Sequence, residues 1–369
     1  MKNANHWFRK KTSKGYVNER GIMEKVGIIT LGGYWNYGNR LQNLALKKAI
    51  EKYCGKECVT IKHWQHKENI SFPVRIKKIV KRFVKPDSKL FDSRVRKFKD
   101  FSAEYLEEVE FDSSSVKSLV VGSDQVWNPL GMSPEQYAFF FLSEFRNVKK
   151  VSYAASIAVP SLKNEYAEIM REESKKFDSV SVREEEGSRL MLDVTGIKPE
   201  VVLDPTMLLE KTEWMDSLGI ELQETKKIFK YVLGENIKEV EELTRKLCYE
   251  YGLSVEEYHS LAGGQKHNYD KSPIDFVRDI ANARLVVTDS FHAAVFAIIF
   301  NTPFIIAERV DEVKMSSRID TLLRMTGLEE RRLENIKNIN KIFDVDFTDA
   351  EKSINKMKKS SLKFLTNAI

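Results

Sequence analysis

The stretch LVVTDSFHAAVFAIIFNTPFI, Leu285 to Ile305, decides the fold. It opens on a short β-branched run that stops at Thr288-Asp289-Ser290. From His292 to Phe300 the residues are apolar on nearly every side at helical length. Thr302-Pro303 ends that segment, and a second apolar run begins at Phe304. Strand, covered helix and strand in succession make a parallel βαβ unit, because parallel strands need a crossover and a helix apolar all round is a buried one. His292 stands out against that background. It sits at the junction of buried strand and buried helix, where a polar group costs free energy unless it is satisfied or used.

The same alternation runs outward along the chain. Short β-branched runs stand at KVGIITL (25–31), ECVTIKHW (57–64), SLVVGS (118–123), KKVSYAAS (149–156), DSVSVRE (178–184) and PEVVLDP (199–205). Helical periodicity separates them, as in NRLQNLALKKAIEKY (39–53) and NEYAEIMREESKKF (164–177). A second series follows Asp204-Pro205, with strands at 226–234, 253–260, 284–290 and 302–308. Strands alternating with helices predict an α/β chain with parallel sheets. The expected architecture is two Rossmann-like domains facing a cleft, over 23–210 and 211–345. A helix closes the chain over 346–369, and residues 1–22 read as a disordered leader.

At 369 residues, two domains also fit the length. No run approaches the roughly 20 apolar residues of a membrane span. The basic start has no apolar segment behind it, so no secretory signal is expected. Three cysteines, Cys54, Cys58 and Cys248, fit a reducing cytoplasm. His63 and His66 lack carboxylate or cysteine partners at metal-ligand spacing, so no metal is expected. Serine-nucleophile chemistry lacks its glycine-flanked elbow.

In parallel sheets ligands bind at the carboxyl ends of the strands, and four such ends carry unusual residues. TLGGYWNYGNR places two glycines after the first strand and Asn39 at the next helix start. It reads equally as an anion-facing turn or as a tight connection capped by Asn39. VVGSDQVWNP offers Asp124, Gln125 and Trp127 to sugar hydroxyls and a sugar ring face. Alternatively Ser123 or Asp124 caps a helix and Trp127 packs in the core. Arg183 ends a strand, where it grips phosphate or carboxylate or pairs with Glu184, Glu185 or Glu186. His292 stands at a helix N-terminus, and Arg318 lies just inside another helix start. Asp204-Pro205-Thr206 reads as a shaped turn at the domain crossover.

One further segment is set apart by charge. Between Arg75 and Lys99 there are eleven basic residues and two acids, Asp87 and Asp92. Ile76, Ile79, Val80, Phe83 and Val84 make one apolar helical stripe within it. A basic amphipathic helix over 74–99 lies either on an anionic membrane surface or on the domain as a solvated cover. No aromatic platform or binding motif accompanies the charge, so nucleic acid is not expected.

Taken in order, NYGNRLQNLAL, VVGSDQVWN, SYAAS, SVRE, VVLDPT, TDSFHAAVFAIIFNTPF and SSRIDTLL resemble the polysaccharide pyruvyl transferase family, over about residues 26–325. The first two segments look like the branch found with exopolysaccharide and capsule gene products. The resemblance implies two Rossmann-like domains similar to the B-type glycosyltransferase fold. It implies transfer of the pyruvyl group of phosphoenolpyruvate onto two hydroxyls of one sugar, giving a ketal and phosphate, with no cofactor. Arg183 falls on the family's strand-end arginine and His292 on its histidine. Many relatives carry arginine where this chain has Ser290, and Arg318 is the substitute at hand. On this basis His292 is the expected acid–base group, with Arg183, Arg318 and Ser290 at the donor and Asn39, Asp124, Gln125 and Trp127 at the acceptor. The acceptor is then a sugar, carried on a lipid diphosphate if the basic segment meets the inner face of the membrane. The alternatives are a nucleotide-sugar glycosyltransferase of the same fold and an inactive saccharide-binding scaffold, the latter drawn from Ser290.

Overall fold

The computed structural model describes residues 24–64, 88–234, 238–259, 270–308, 317–336 and 338–369. The expected leader and the apolar stripe at 76–84 lie outside them.

The first half of the chain alternates β1 (Lys25–Ile29), α1 (Tyr37–Ala49), β2 (Glu57–Ile61), α2 (Ser88–Tyr105) and β3 (Glu108–Val109). It continues through β4 (Val116–Asp124), α3 (Pro134–Phe139), β5 (Lys149–Ala155), α4 (Asn164–Ser174), β6 (Ser181–Val182), α5 (Glu185–Thr195) and β7 (Glu200–Val201). These seven strands form one parallel sheet in the order β3-β2-β1-β4-β5-β6-β7. The runs that form its centre, such as Leu119–Val121, are covered on both faces, which is why they read as continuous apolar stretches and not as alternation.

A 3₁₀ turn over Pro205–Leu208 and α6 (Lys211–Leu218) lead to the second series. It comprises β8 (Lys227–Tyr231), α7 (Lys238–Tyr251), β9 (Ser254–Tyr258), α8 (Pro273–Ala281), β10 (Leu285–Thr288), α9 (Phe291–Phe300) and β11 (Phe304–Ile306). Its four strands are parallel in the order β11-β10-β8-β9. The predicted βαβ unit is therefore β10-α9-β11, and every residue of α9 except Ile299 is buried. Asn301, in the left-handed region at φ 56°, ends the helix and releases the chain to Thr302-Pro303. Two further helices, α10 (Ser317–Thr326) and α11 (Thr348–Ala368), complete the chain. The α11 helix returns to the first sheet, where Ser361 Oγ accepts from the Leu203 N–H at 3.0 Å.

The chain thus has two Rossmann-like α/β units, and in each the strand order reverses once. The reversal lies between β1 and β4 in the large sheet and between β8 and β10 in the small one. Such switch points open a crevice at the carboxyl ends of the strands. Both are tied across by side chains. Thr30 Oγ1 donates to the Ser123 carbonyl at 3.0 Å in the first, and Asp289 accepts from the Leu233 and Gly234 N–H groups at 2.6 and 2.8 Å in the second.

The two units share an apolar core. Tyr37 of α1 stacks on Phe276 of α8, with ring centroids 4.7 Å apart and planes 8° apart. The Arg94 guanidinium lies over the Tyr37 ring, 4.6 Å from its centroid, and donates to the carbonyls of His259 and Trp35 at 3.0 and 2.6 Å. Arg94 belongs to the basic segment expected over 74–99. At 1% exposure Arg94 is packed structure, while Arg96 in the same helix is exposed. Among the described residues no helix is long and apolar enough to cross a membrane. The cap of α1 is Asn36, whose side chain accepts from the Asn39 N–H at 3.1 Å, and not Asn39 itself.

Candidate active site

The end of β6 places Arg183 in the cleft, and the residues after β7 bring Asp204 beneath it. Arg183 Nη1 donates to Asp204 Oδ2 at 2.7 Å, while its Nη2 lies 3.5 Å from Asp124 Oδ1. Asp124 ends β4 with φ 68°, a left-handed conformation that turns its carboxylate towards the arginine. Ser123 Oγ lies 3.2 Å from Asp204 Oδ2 and donates to the Ala154 carbonyl at 3.0 Å. Glu184 is not the main partner of Arg183. It stands 4.0 Å away, and its Oε1 accepts from the N–H groups of Ile157 and Ala158 at 2.8 and 3.2 Å. The Arg183 guanidinium is covered by the Phe291 ring at 4.6 Å, yet its Nε and Nη2 are buried without a hydrogen-bond partner.

Burial alone would raise both carboxyl pKa values. For Asp204 the His292 imidazole, the Arg183 guanidinium and the Thr206 hydroxyl overcome that, and hold it far below the ordinary carboxylate range. Asp124 is likewise held low by Arg183, His292 and Arg318 against its own desolvation. Burial would lower the Arg183 pKa, but the two aspartates raise it instead. The cluster is therefore fully ionised at neutral pH.

His292 comes from the second unit, at the first turn of α9. Its Nε2 stands 3.6 Å from Asp204 Oδ2, just beyond hydrogen-bond length, and is buried without a closer partner. The other side of the ring rests on Gly38 at the start of α1. A Cβ built on Gly38 would lie 2.0 Å from His292 Nδ1 and 2.3 Å from Cγ, so only glycine admits the imidazole there. Gly38→Ala should therefore destabilise the fold by about 1–3 kcal/mol through overpacking. In the His292→Ala background the part of that cost due to the ring should disappear, leaving the clash with the Cβ that alanine keeps 2.8 Å away. A double-mutant cycle from denaturant unfolding measures the coupling, and additive losses would contradict the contact.

Arg318 enters from α10. Its Nη1 lies 4.0 Å from Asp124 Oδ1. With the Gln125 amide turned so that its carbonyl faces the guanidinium, that oxygen accepts from Nη2 and Nη1 at 2.8 and 2.9 Å. Arg183, Arg318 and Asp204 line a cavity of about 350 Å³, roofed by Phe291 and Met357, with Arg189 and Arg324 also on its wall. Four guanidinium groups against the carboxylates of Asp204 and Glu185 leave the lining net positive, which favours an anion.

A family model described as polysaccharide pyruvyl transferase matches residues 36–309, and those residues include Asp124, Arg183, Asp204 and His292. The chain belongs to this family. No curated protein sequence matches the chain. Among solved structures it is similar to the Neisseria meningitidis UDP-GlcNAc 2-epimerase bound to UDP-GlcNAc, at 10% identity and TM-score 0.48, covering 94% of this chain and 100% of the other. The S. aureus MnaA–UDP co-structure has 13% identity and TM-score 0.47, with 94% and 98% covered. A putative UDP-N-acetylglucosamine 2-epimerase from Listeria monocytogenes has 15% identity and TM-score 0.44, with 92% and 91% covered.

Of the residues expected at the site of this pyruvyl transferase family member, Asp124, Gln125, Arg183, His292 and Arg318 converge as described. Ser290 lies at the N-cap of α9 without capping it, and its N–H donates to Thr288 Oγ1 at 3.0 Å. Two expectations need correction. Trp127 is 0% exposed, stacks on Phe141 at 4.7 Å and donates its indole N–H to the Phe140 carbonyl at 3.0 Å. It is core, and presents no face to a sugar. Asn39 is buried at 2% exposure, and its side-chain Oδ1 accepts from Arg40 Nε and Nη2 at 3.1 and 2.7 Å. That oxygen is committed to the arginine and is not offered to an acceptor. Asp204 reads in the sequence only as a turn former. In VVLDPT the signal was a carboxylate at a strand end, masked by the proline that follows it.

Proposed function

We propose that the chain transfers the pyruvyl group of phosphoenolpyruvate onto two hydroxyls of one sugar residue of a polysaccharide acceptor. The observation that carries this reading is Arg183: buried, held charged by Asp204 and Asp124, and lining one cavity together with Arg318, Arg189 and Arg324. Phosphoenolpyruvate presents a phosphate and a carboxylate close together, the charge pattern such a cavity fits.

The reaction needs a proton at the methylene carbon of the donor, which leaves an oxocarbenium-like centre at the next carbon. One sugar hydroxyl adds there, phosphate leaves, and the second hydroxyl closes the ketal. One hydroxyl proton replaces the proton given to carbon, and the other departs with phosphate. His292 is the group suited to give and regain that proton, since its Nε2 is buried and faces Asp204, which lines the arginine cavity. Carboxylates held far below their ordinary pKa are weak bases. Asp204 therefore stabilises the imidazolium, and Asp124 orients an acceptor hydroxyl and steadies the cationic centre.

A thermal-shift titration tests the donor. Phosphoenolpyruvate at 100 times its Kd should add about 2.7 kcal/mol to stability, and Arg318→Ala should lose most of that gain. Stabilisation by UDP-GlcNAc and none by phosphoenolpyruvate would replace this reading with nucleotide-sugar transfer.

A further inference from the structure

A second cavity, of about 570 Å³, lies on the other flank of the large sheet. Its floor is the end of β2, Ile61 to Trp64, and the residues after β3, Glu110 and Phe111. The first turn of α3 and the segment after it close the far side with Glu135, Phe139, Glu144 and Phe145. Two strand spacings, about 10 Å, separate β2 from β4 and Asp124. The two places share one hydrogen-bonded frame. His63 Nε2 donates to the Thr30 carbonyl at 2.7 Å, Thr30 Oγ1 donates to the Ser123 carbonyl at 3.0 Å, and Ser123 Oγ reaches Asp204 at 3.2 Å.

The chemistry of this cavity is the reverse of the arginine cavity. Glu110, Glu135 and Glu144 face it against one ammonium, Lys62. The aromatic rings form a connected wall, with Phe111 edge-on to Phe145 at 4.9 Å and Phe139 to Phe145 at 5.8 Å. The buried Trp64 indole N–H has no hydrogen-bond partner. Carboxylates accept pairs of hydroxyl hydrogen bonds, and aromatic walls take the C–H faces of pyranose rings. Phosphate and other anions are repelled here. The volume falls in the range of small-molecule sites.

We propose that this cavity is an acceptor subsite for a neutral or amine-bearing sugar residue neighbouring the residue that receives the pyruvyl group. The inference rests on the transferase reading and deepens it. The anionic donor enters on the β6–β7 side, the polyhydroxylated chain is held on the β2–β3 side, and the two meet over the switch point. Acceptors must then be at least two residues long, and a uronic acid at the held position is excluded.

The test uses the full chain, with neutral, amine-bearing and uronic-acid-containing oligosaccharides of two to six residues as probes. The Trp64 indole N–H signal, assigned through Trp64→Phe, is followed by NMR titration, and Kd is taken from its shift. Neutral or amine-bearing probes should move that signal in the wild type. The Phe111→Ala/Glu144→Gln variant, its folding verified by its melting temperature, should bind them at least tenfold more weakly. Glu110→Gln/Glu144→Gln should narrow the discrimination against uronic acids. Unchanged affinity in the folded Phe111→Ala/Glu144→Gln variant, or no response to any probe in the wild type, would overturn the subsite. The wild-type response to phosphoenolpyruvate reports separately on the donor, so failure of the subsite and failure of the transferase reading are distinguishable.

Discussion

His292→Gln should lower the turnover of phosphoenolpyruvate by about 10²–10⁴, the worth of one well-placed acid–base group. Glutamine keeps a polar side chain of similar reach against Gly38 and Asp204 but carries no proton that it releases near neutral pH. The fold should therefore survive, as circular dichroism and melting temperature would show, while inorganic phosphate release falls. The thermal response to phosphoenolpyruvate should persist, because the proposed donor contacts are those of Arg183 and Arg318. A His292→Gln variant with near-wild-type turnover would remove His292 from the chemistry and leave it as a packing residue of the interface.

Arg183→Ala should be the most destabilising single change in the cleft. It leaves Asp204, at 1% exposure, and Asp124, at 3%, as buried carboxylates without their main countercharge. Breaking a buried pair in this way costs roughly 3–5 kcal/mol. At about 2–4 °C per kcal/mol, the melting temperature should fall by at least about 6 °C. The pH dependence identifies the cause. In the wild type both carboxyls have folded pKa values below their unfolded ones. Their contribution is complete above the ordinary carboxylate range near pH 4 and is lost as the pH falls towards the folded values. Without Arg183 those folded values rise, so the deficit relative to wild type should be largest at neutral pH and should shrink below about pH 5. A deficit independent of pH would point to lost packing on Phe291 instead of unpaired charge. Arg183→Lys keeps the charge but not the fork, and should recover stability better than it recovers the response to phosphoenolpyruvate.

The fold was legible in the sequence to the extent that its strands were covered on both faces. Runs such as Leu119–Val121 and Leu285–Val287 announce themselves because a parallel strand between two helix layers needs no polar face. One edge of the sheet was not legible. The β3 strand is two residues long, and a two-residue ladder leaves no period to read, whereas the equally short β6 and β7 fall within the β-branched runs at 178–184 and 199–205. Strand order, and with it the switch point, depends on long-range pairing that local pattern does not encode. The βαβ unit around α9 was read correctly because its helix is apolar all round and stops at an asparagine and a proline, both local signals.

The site divided along the same line. Arg183, His292 and Asp124 stood out because each is polar at the end of an apolar run, and Arg318 because it lies just inside a helix start. Asp204 did not, because the 3₁₀ turn it caps through Thr206 explains an aspartate before proline without any function. The structure shows it doing both, with Oδ1 on Thr206 and Oδ2 between Arg183 and His292. Trp127 misled for the opposite reason. A tryptophan beside a carboxylate and an amide has the composition of a sugar platform, and only the packing on Phe141 shows that the ring points inward. The subsite residues around Trp64 are spread over four separate segments, so no spacing within the sequence joins them.

The most direct test of the central claim is a phosphorus NMR assay of the wild type in deuterated water, with phosphoenolpyruvate, UDP-GlcNAc and a panel of oligosaccharide acceptors. The account predicts that phosphoenolpyruvate is converted to inorganic phosphate only when an acceptor is present, and that the product carries a ketal methyl group bearing one solvent deuteron. Consumption of UDP-GlcNAc in the presence of acceptor, with phosphoenolpyruvate left intact, would contradict it.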